Sequence, residues 1–173
     1  VGRFEFKQKR QDLLIKELVP FFKKFPDYSL DLYGEVNIND DGSTLKIMNE
    51  LIEKNGLKNN IHINQITNDI VKAIIPSISF LCFSSIEGMP NALIESMSLG
   101  IVAISTNWEG CDEIITNNKT GIILNDPSNL SDELEKLIMN REEYVKMSDA
   151  SYKFVSNNYS KDKILAIWDA LVD

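Results

Sequence analysis

The segment from Ile78 to Glu95 constrains this chain more than any other. An apolar run with strand character (Ile78, Phe80, Leu81, Phe83) passes through Ser84-Ser85-Ile86-Glu87-Gly88-Met89-Pro90 into Asn91-Ala92-Leu93-Ile94-Glu95, an amphipathic helix start. So apolar a run is expected near the centre of a parallel sheet, where both faces are covered. Pro90 suits the first helical position, where its missing N–H costs nothing and its fixed φ favours the helix. Gly88 permits a sharp bend and a close approach of ligand to backbone. The N–H groups of Asn91, Ala92 and Leu93 then point out of the helix start, beside the positive end of its dipole. Glu87 precedes that helix, and Glu95 follows eight residues later, inside it. An anion at the amides has a carboxylate on each side, an arrangement suited to a ligand with a phosphate in the middle and hydroxyls at both ends.

Helical and strand patterns alternate along the rest of the chain, which predicts an α/β fold with a parallel sheet. Residues 11–25 show helical spacing (Leu14, Leu18, Phe21, Phe22, Phe25) up to Pro26. A strand over 29–33 closes at Gly34, a loop covers 37–42, and a helix over 43–55 stops at Gly56. A strand near 60–63, a helix near 67–75 ended by Pro76, and the strand over 78–83 follow. After the helix ending at Gly100 come a strand over 101–105, a short helix near 110–116, a strand over 121–124 and three helical segments. Such units wind right-handedly, giving a Rossmann-like, doubly wound parallel sheet of about six strands with helices on both faces. Ligands of these sheets bind beyond the carboxyl ends of the strands. Gly2-Arg3, Gly34-Glu35 and Ser84–Pro90 all fall there, so they converge on one expected site.

At 173 residues the chain reads as a single domain over 1–173. A net charge of −8 argues against affinity for nucleic acid or anionic membranes. Lys7, Lys9 and Arg10 form a basic knot in this acidic chain. Cys82, Cys111 and the single histidine, His62, have no metal-ligand spacing, and Cys82 reads as a core residue. His62 reads as structural. No Asp-x-Asp occurs to hold a metal, and no signal peptide or membrane span is legible, which makes the cytoplasm the expected compartment. Dinucleotide oxidoreductases and P-loop NTPases are disfavoured, because neither Gly-x-Gly-x-x-Gly after a strand nor Gly-Lys-Ser/Thr is present.

The run Glu87-Gly-Met-Pro-Asn-Ala-Leu-Ile-Glu95, continued by Ser-Met-Ser-Leu-Gly100, resembles the E-x7-E signature of GT-B glycosyltransferases, in particular the retaining family four (glycosyl transferases group 1). Four further blocks agree in order: Val1-Gly2-Arg3 with Lys9 and Asp12–Ile15, Leu30–Gly34, Glu113–Ile115, and Thr120–Leu124. The resemblance covers the C-terminal, donor-binding half of such an enzyme. It implies a nucleoside-diphosphate sugar as donor substrate (UDP ahead of GDP or ADP), no cofactor and no metal. It also implies an N-terminal acceptor domain outside this chain, through which alone any membrane contact at the inner face would run. The family supplies several more apolar residues ahead of Gly2, so the first strand is expected to be cut short.

By the same resemblance, Arg3 and Lys9 clamp the diphosphate, and Glu87 accepts from hydroxyls of the sugar, without being assigned as nucleophile. Glu95 reads the ribose, and backbone amides from Gly88 to Asn91 complete a cradle with Gly2, Met89, Pro90, Ala92 and Leu93. The base is expected near Gly34, Glu35 and Gln65. Donors set in place before charge grows on the leaving diphosphate stabilise the transition state more than the ground state.

Two departures from the family pattern stand out. Trp108-Glu109-Gly110-Cys111-Asp112-Glu113 keeps one glycine where two are common, so Glu113 is expected to cap or pair locally, and Gly100-Ile101-Val102-Ala103 stands where Gly-x-Pro-Val is common, a conservative change in a strand expected to be buried. The terminal stripe Ile164, Ile167, Trp168, Leu171 reads as core, with Trp168 partly exposed if the helix crosses to a missing half. Alternatives are a GT-B relative such as a nucleotide-sugar epimerase, or a non-catalytic nucleotide-binding domain.

Overall fold

The computed structural model describes residues 1–36 and 40–172, the side chains at 167, 171 and 172 excepted. Part of the loop expected over 37–42 therefore lies outside the described residues. The strands are β1 (Leu30–Tyr33), β2 (Ile61–Asn64), β3 (Ser79–Cys82), β4 (Val102–Thr106) and β5 (Gly121–Leu124). The helices are α1 (Gln11–Glu17), α2 (Val19–Lys24), α3 (Ser43–Lys54), α4 (Ile70–Ile74), α5 (Asn91–Ser98), α6 (Cys111–Ile114), α7 (Leu130–Met139), α8 (Arg141–Asn158) and α9 (Lys161–Val172). Every strand pair is parallel: β1 with β2 from Leu30↔Ile61, β3 with β4 from Ser79↔Val102, and β4 with β5 from Ala103↔Gly121.

The alternation of side chains along the strands builds two apolar layers. Leu81, Val102, Ile104, Ile122 and Leu124 face a cluster completed by α1, α2, α3 and α7. Phe80, Cys82, Ala103 and Ile123 face the opposite cluster, completed by Leu93, Met97, Trp108, Cys111 and Val155. Helices thus cover both faces, the Rossmann-like arrangement expected from strand–helix alternation. Each fully buried Leu, Ile or Met contributes roughly 1.5–3 kcal/mol to folding, and Ile15, Met48, Leu93, Met97 and Ile104 are all buried to that degree.

Four elements differ from the sequence expectation. First, the described residues hold five strands in two sheets rather than about six in one. The first segment contributes only the bridge Phe4↔Val36, so the ladder does not continue across, and β1 and β3 line a slot of about 380 Å³. Second, the centre of the larger sheet is β4, buried at all five positions, whereas β3 has a strand on one side only. Third, the helix over 11–25 divides at Leu18, because Pro20 has no N–H for the carbonyl of Lys16. Fourth, α4 is shorter than its pattern and starts after Asp69, whose carboxylate accepts from the N–H of Lys72.

At the C-terminal end Ile164 and Trp168 are exposed, Trp168 by 62%, so they are not core. Ile167 and Leu171 of the same stripe lie outside the described side chains. No described helix is long and apolar enough to cross a membrane.

Candidate functional site

Two loops at the carboxyl ends of the strands meet and are stapled together. The first, Gly2 to Arg10, runs beside the end of β1, where Gly2 donates to the carbonyl of Tyr33 (2.9 Å) and Phe4 to that of Glu35 (2.8 Å). It then turns back on itself, with the N–H groups of Lys9 and Arg10 both on the carbonyl of Glu5, and enters α1 through Arg10 at φ 52. Gln11, buried in the first turn of α1, holds the loop from inside: its Oε1 accepts from the N–H of Glu5 (3.1 Å) and its Nε2 donates to the carbonyl of Arg3 (2.9 Å).

The second loop, Ser84 to Pro90, leaves β3 and enters α5. The Ser85 N–H donates to the carbonyl of Gln8 (2.8 Å), its Oγ to that of Lys7 (3.0 Å), and Gln8 Nε2 to that of Ile86 (3.1 Å). Lys9 Nζ meets Glu87 Oε1 at 2.6 Å, with 26% and 8% of the two side chains exposed. Ser84 Oγ donates to the same oxygen at 2.5 Å.

Between the loops lies a cleft of about 320 Å³, lined by Gly2, Arg3, Lys9, Gln11, Ser84, Glu87 and the stretch Met89, Pro90, Asn91, Ala92 and Leu93. Both cations named from sequence, the first acid and the helix start therefore share one crevice. Arg3 is exposed and makes no ion pair among the described residues, so its guanidinium is available to an anion. Among the described residues there is no group of three or more His, Cys, Asp or Glu side chains able to hold a metal.

The helix start differs in detail from the expectation. Pro90 is the residue before the helix (φ −81, ψ 70), and Asn91 is the first helical one. That tight turn directs the Asn91 N–H onto the carbonyl of Met89 (2.9 Å), while the Leu93 N–H reaches the carbonyl of Pro90 (2.9 Å). Of the three amides expected to be open, only that of Ala92 lacks a partner among the described residues, and those of Gly88 and Met89 also lack one. The donor row has moved into the loop. Gly88 does not use left-handed backbone; a Cβ there would meet nothing within 4 Å, so the space above it is open.

Five residues named from sequence are not among those lining the cleft: Gly34, Glu35, Gln65, Gly88 and Glu95. Gly34 has a packing reason for its identity, since a Cβ there would lie 1.8 Å from the carbonyl oxygen of Gly2. Glu35 and Gln65 are exposed beyond the ends of β1 and β2, and Glu95 is exposed on α5. Glu113 is exposed too, and α6 has no side-chain cap, so the expected local capping role is absent. His62 sits on the outer side of β2 with Nδ1 3.3 Å from Asp31 Oδ1, away from the cleft.

Sequence reasoning gave no role to Gln8, Gln11, Ser84 or Ser85, which hold the loops. Gln8 and Ser85 bond across the 77 or 78 residues that separate the two loops, a separation no local pattern signals; Ser84 bonds Glu87 within its own loop, and Gln11 acts from inside a helix where it reads as an ordinary polar residue. As a whole the cleft offers an unpaired guanidinium, an ammonium, open backbone donors and one acid, Glu87, among the described residues. It is equipped to hold an anionic group with hydroxylated neighbours.

Comparison with known proteins agrees with the fold and the family. The sequence pattern of the glycosyl transferases group 1 family matches residues 1–154. An uncharacterised glycosyltransferase of Haemophilus influenzae is 28% identical over 171 residues, covering 96% of this chain and 46% of that protein. The chain thus spans about half the length of this relative. Among solved structures, HepE of Anabaena, crystallised in complex with UDP, superposes with a TM-score of 0.87 at 18% identity, covering 99% of this chain and 48% of that one. The C-terminal domain of LpcC, a glycosyl transferase group 1 family protein from Francisella tularensis, superposes with a TM-score of 0.79 at 22% identity, covering 93% and 84%.

Proposed function

As a member of the glycosyl transferases group 1 family, to which it belongs by the match over residues 1–154, this chain is, we propose, the donor-binding part of a glycosyltransferase. The donor is a nucleoside-diphosphate sugar, UDP-linked ahead of GDP or ADP, and a hexose is transferred with retention to a glycan or lipid-linked acceptor. The acceptor is recognised by a further domain of the longer protein, and the reaction belongs to surface polysaccharide or glycoconjugate synthesis on the cytoplasmic side. HepE, a structural neighbour, was crystallised with UDP, which supports the choice of base.

The single observation that carries the reading is the gathering of Arg3, Lys9, Glu87 and the start of α5 in one cleft. Arg3 offers a planar fork of donors to the diphosphate and Lys9 a point charge. As the bond from the anomeric carbon to the β-phosphate breaks, negative charge builds on the leaving diphosphate. Arg3, Lys9 and the open amides of Gly88, Met89 and Ala92 meet that charge without reorganising, and losing one such donor raises the barrier by about 3 kcal/mol. Glu87 accepts from the sugar hydroxyls at the loop, and Glu95 from the vicinal hydroxyls of the ribose, as acids do in other nucleotide folds. Two cations suffice for the charge, so no metal is needed in this scheme.

Titration of the chain with UDP, GDP and ADP at low salt tests the reading. Weak saturable binding to one of them is expected; no binding to any at millimolar concentration overturns it. In the full-length protein Arg3→Ala lowers turnover strongly, whereas Glu95→Ala chiefly weakens donor affinity. Wild-type kinetics in both variants would remove these roles.

A further inference from the structure

Glu87 uses only one of its two carboxylate oxygens within the protein. Oε1 takes Lys9 Nζ at 2.6 Å and Ser84 Oγ at 2.5 Å, whereas Oε2 has no partner among the described residues. The side chain is 8% exposed and lines the cleft, where the unpartnered Oε2 is open to water and to a ligand that takes the water's place. Ser84 is itself held rigidly. It is 2% exposed, its carbonyl accepts from Thr106 Oγ1 at 2.7 Å, and Thr106, 4% exposed, ends the central strand β4. The hydroxyl that grips Glu87 is therefore built on the sheet rather than on the mobile part of a loop side chain.

We infer that Ser84 is a positioning residue: it pins Glu87 Oε1 beside Lys9 and so presents Oε2 to a hydroxyl of the donor's sugar. The inference rests on the donor-site reading above. Lys9 alone is a point charge that holds the carboxylate near it without fixing its rotation, and so does not fix the direction in which the remaining oxygen faces. A hydroxyl fixed three residues before the acid removes that freedom in advance, which lowers the ordering cost when the sugar arrives. The consequence is selective. Ser84 bears on recognition of the sugar and leaves the diphosphate and base untouched.

Calorimetric titration of the full-length protein with UDP, UDP-glucose and UDP-N-acetylglucosamine separates these contributions. The wild type is expected to bind at least one conjugate more tightly than UDP. Ser84→Ala should weaken that conjugate about tenfold, equal to about 1.4 kcal/mol, with UDP affinity unchanged within about twofold. In a Glu87→Ala background the same substitution should have no further effect, because the group it positions is gone. If Ser84→Ala melts early, Ser84→Cys, which keeps the volume and weakens the donor, is read in its place. Equal weakening of UDP and conjugate, persistence of the effect without Glu87, or equal wild-type affinity for UDP and both conjugates overturns the inference while the donor site stands. Failure of UDP to bind overturns the inference, and the donor reading falls with it if GDP and ADP fail as well.

Discussion

Lys9 Nζ and Glu87 Oε1, from loops 78 residues apart in sequence, lie 2.6 Å from each other in a half-buried ion pair. The contact does two things at once. It closes the floor of the cleft between two loops otherwise joined by backbone bonds through Ser85 and Gln8, and it sets an ammonium where a phosphate can share it. Removing one partner strands the other: Lys9→Met leaves the Glu87 carboxylate on Ser84 alone. Chemical denaturation should show a loss of about 1–2 kcal/mol for Lys9→Met, and less than the sum of the single losses for Lys9→Met with Glu87→Gln. Additive losses would mean that the pair does not couple.

Gly34 is set by packing. A Cβ at this position meets the carbonyl oxygen of Gly2 at 1.8 Å and its carbon at 2.9 Å, both backbone atoms that cannot swing aside. Gly34→Ala should therefore destabilise the chain by about 3 kcal/mol or more, seen as a lowered melting temperature. A wild-type melting curve would show that the first segment does not press on the end of β1.

Gly88 is the reverse case. Nothing lies within 4 Å of a Cβ there and its φ is outside the left-handed region, so the fold itself accepts alanine. Stability of Gly88→Ala should stay within about 0.5 kcal/mol of wild type, while affinity for the nucleotide sugar falls about tenfold. Unchanged affinity would place the ligand away from this loop.

The two thiols are free and buried on one face of the larger sheet. Burial pushes the Cys111 thiol above its ordinary value, which keeps the reactive thiolate scarce. Iodoacetamide should label neither Cys82 nor Cys111 in the native chain near neutral pH and both in urea, as read by mass spectrometry. Rapid native labelling of Cys111 would contradict the packing of α6 against β4.

Asp126 caps the short 3-10 turn Pro127–Asn129 by accepting from the Ser128 N–H at 2.9 Å, which holds its carboxyl below the usual range. A carboxyl lowered in the folded state stabilises fully above its unfolded value, about 3.9, and loses that contribution as pH falls through the lowered one. The side chain is exposed, so the effect is small. Asp126→Asn should flatten the acid limb of the stability curve, and an unchanged limb would remove the cap from the account.

The corrections share one cause. Pro20 lies inside a segment that reads as one helix up to Pro26 but divides it, and Pro90, which reads as the first helical residue, falls one position outside its helix. Local chemistry marks that a helix begins or breaks there, while the neighbouring carbonyls (those of Lys16 and Met89) decide at which residue. Likewise Ile78–Phe83 is apolar enough for a central strand, but β4 took that place, since centrality depends on which strands pair on each side.

The sequence by itself determined the order of strands and helices, the parallel α/β class, and the placement of Arg3, Lys9, Glu87 and Pro90 at strand ends. The element order, the class and Pro90 follow from periodicity and turn chemistry over a few neighbouring residues, whereas the joint placement of Arg3, Lys9 and Glu87 is what the family resemblance implies. Only the tertiary structure decided that Ser84 and Lys9 share one oxygen of Glu87, that Gln11 and Ser85 hold the loops, and that the open amides belong to Gly88, Met89 and Ala92. The Lys9–Glu87 and Ser85–Gln8 contacts follow from where chain segments far apart in sequence come to lie, while the local ones depend on the loop conformation that those long-range contacts impose.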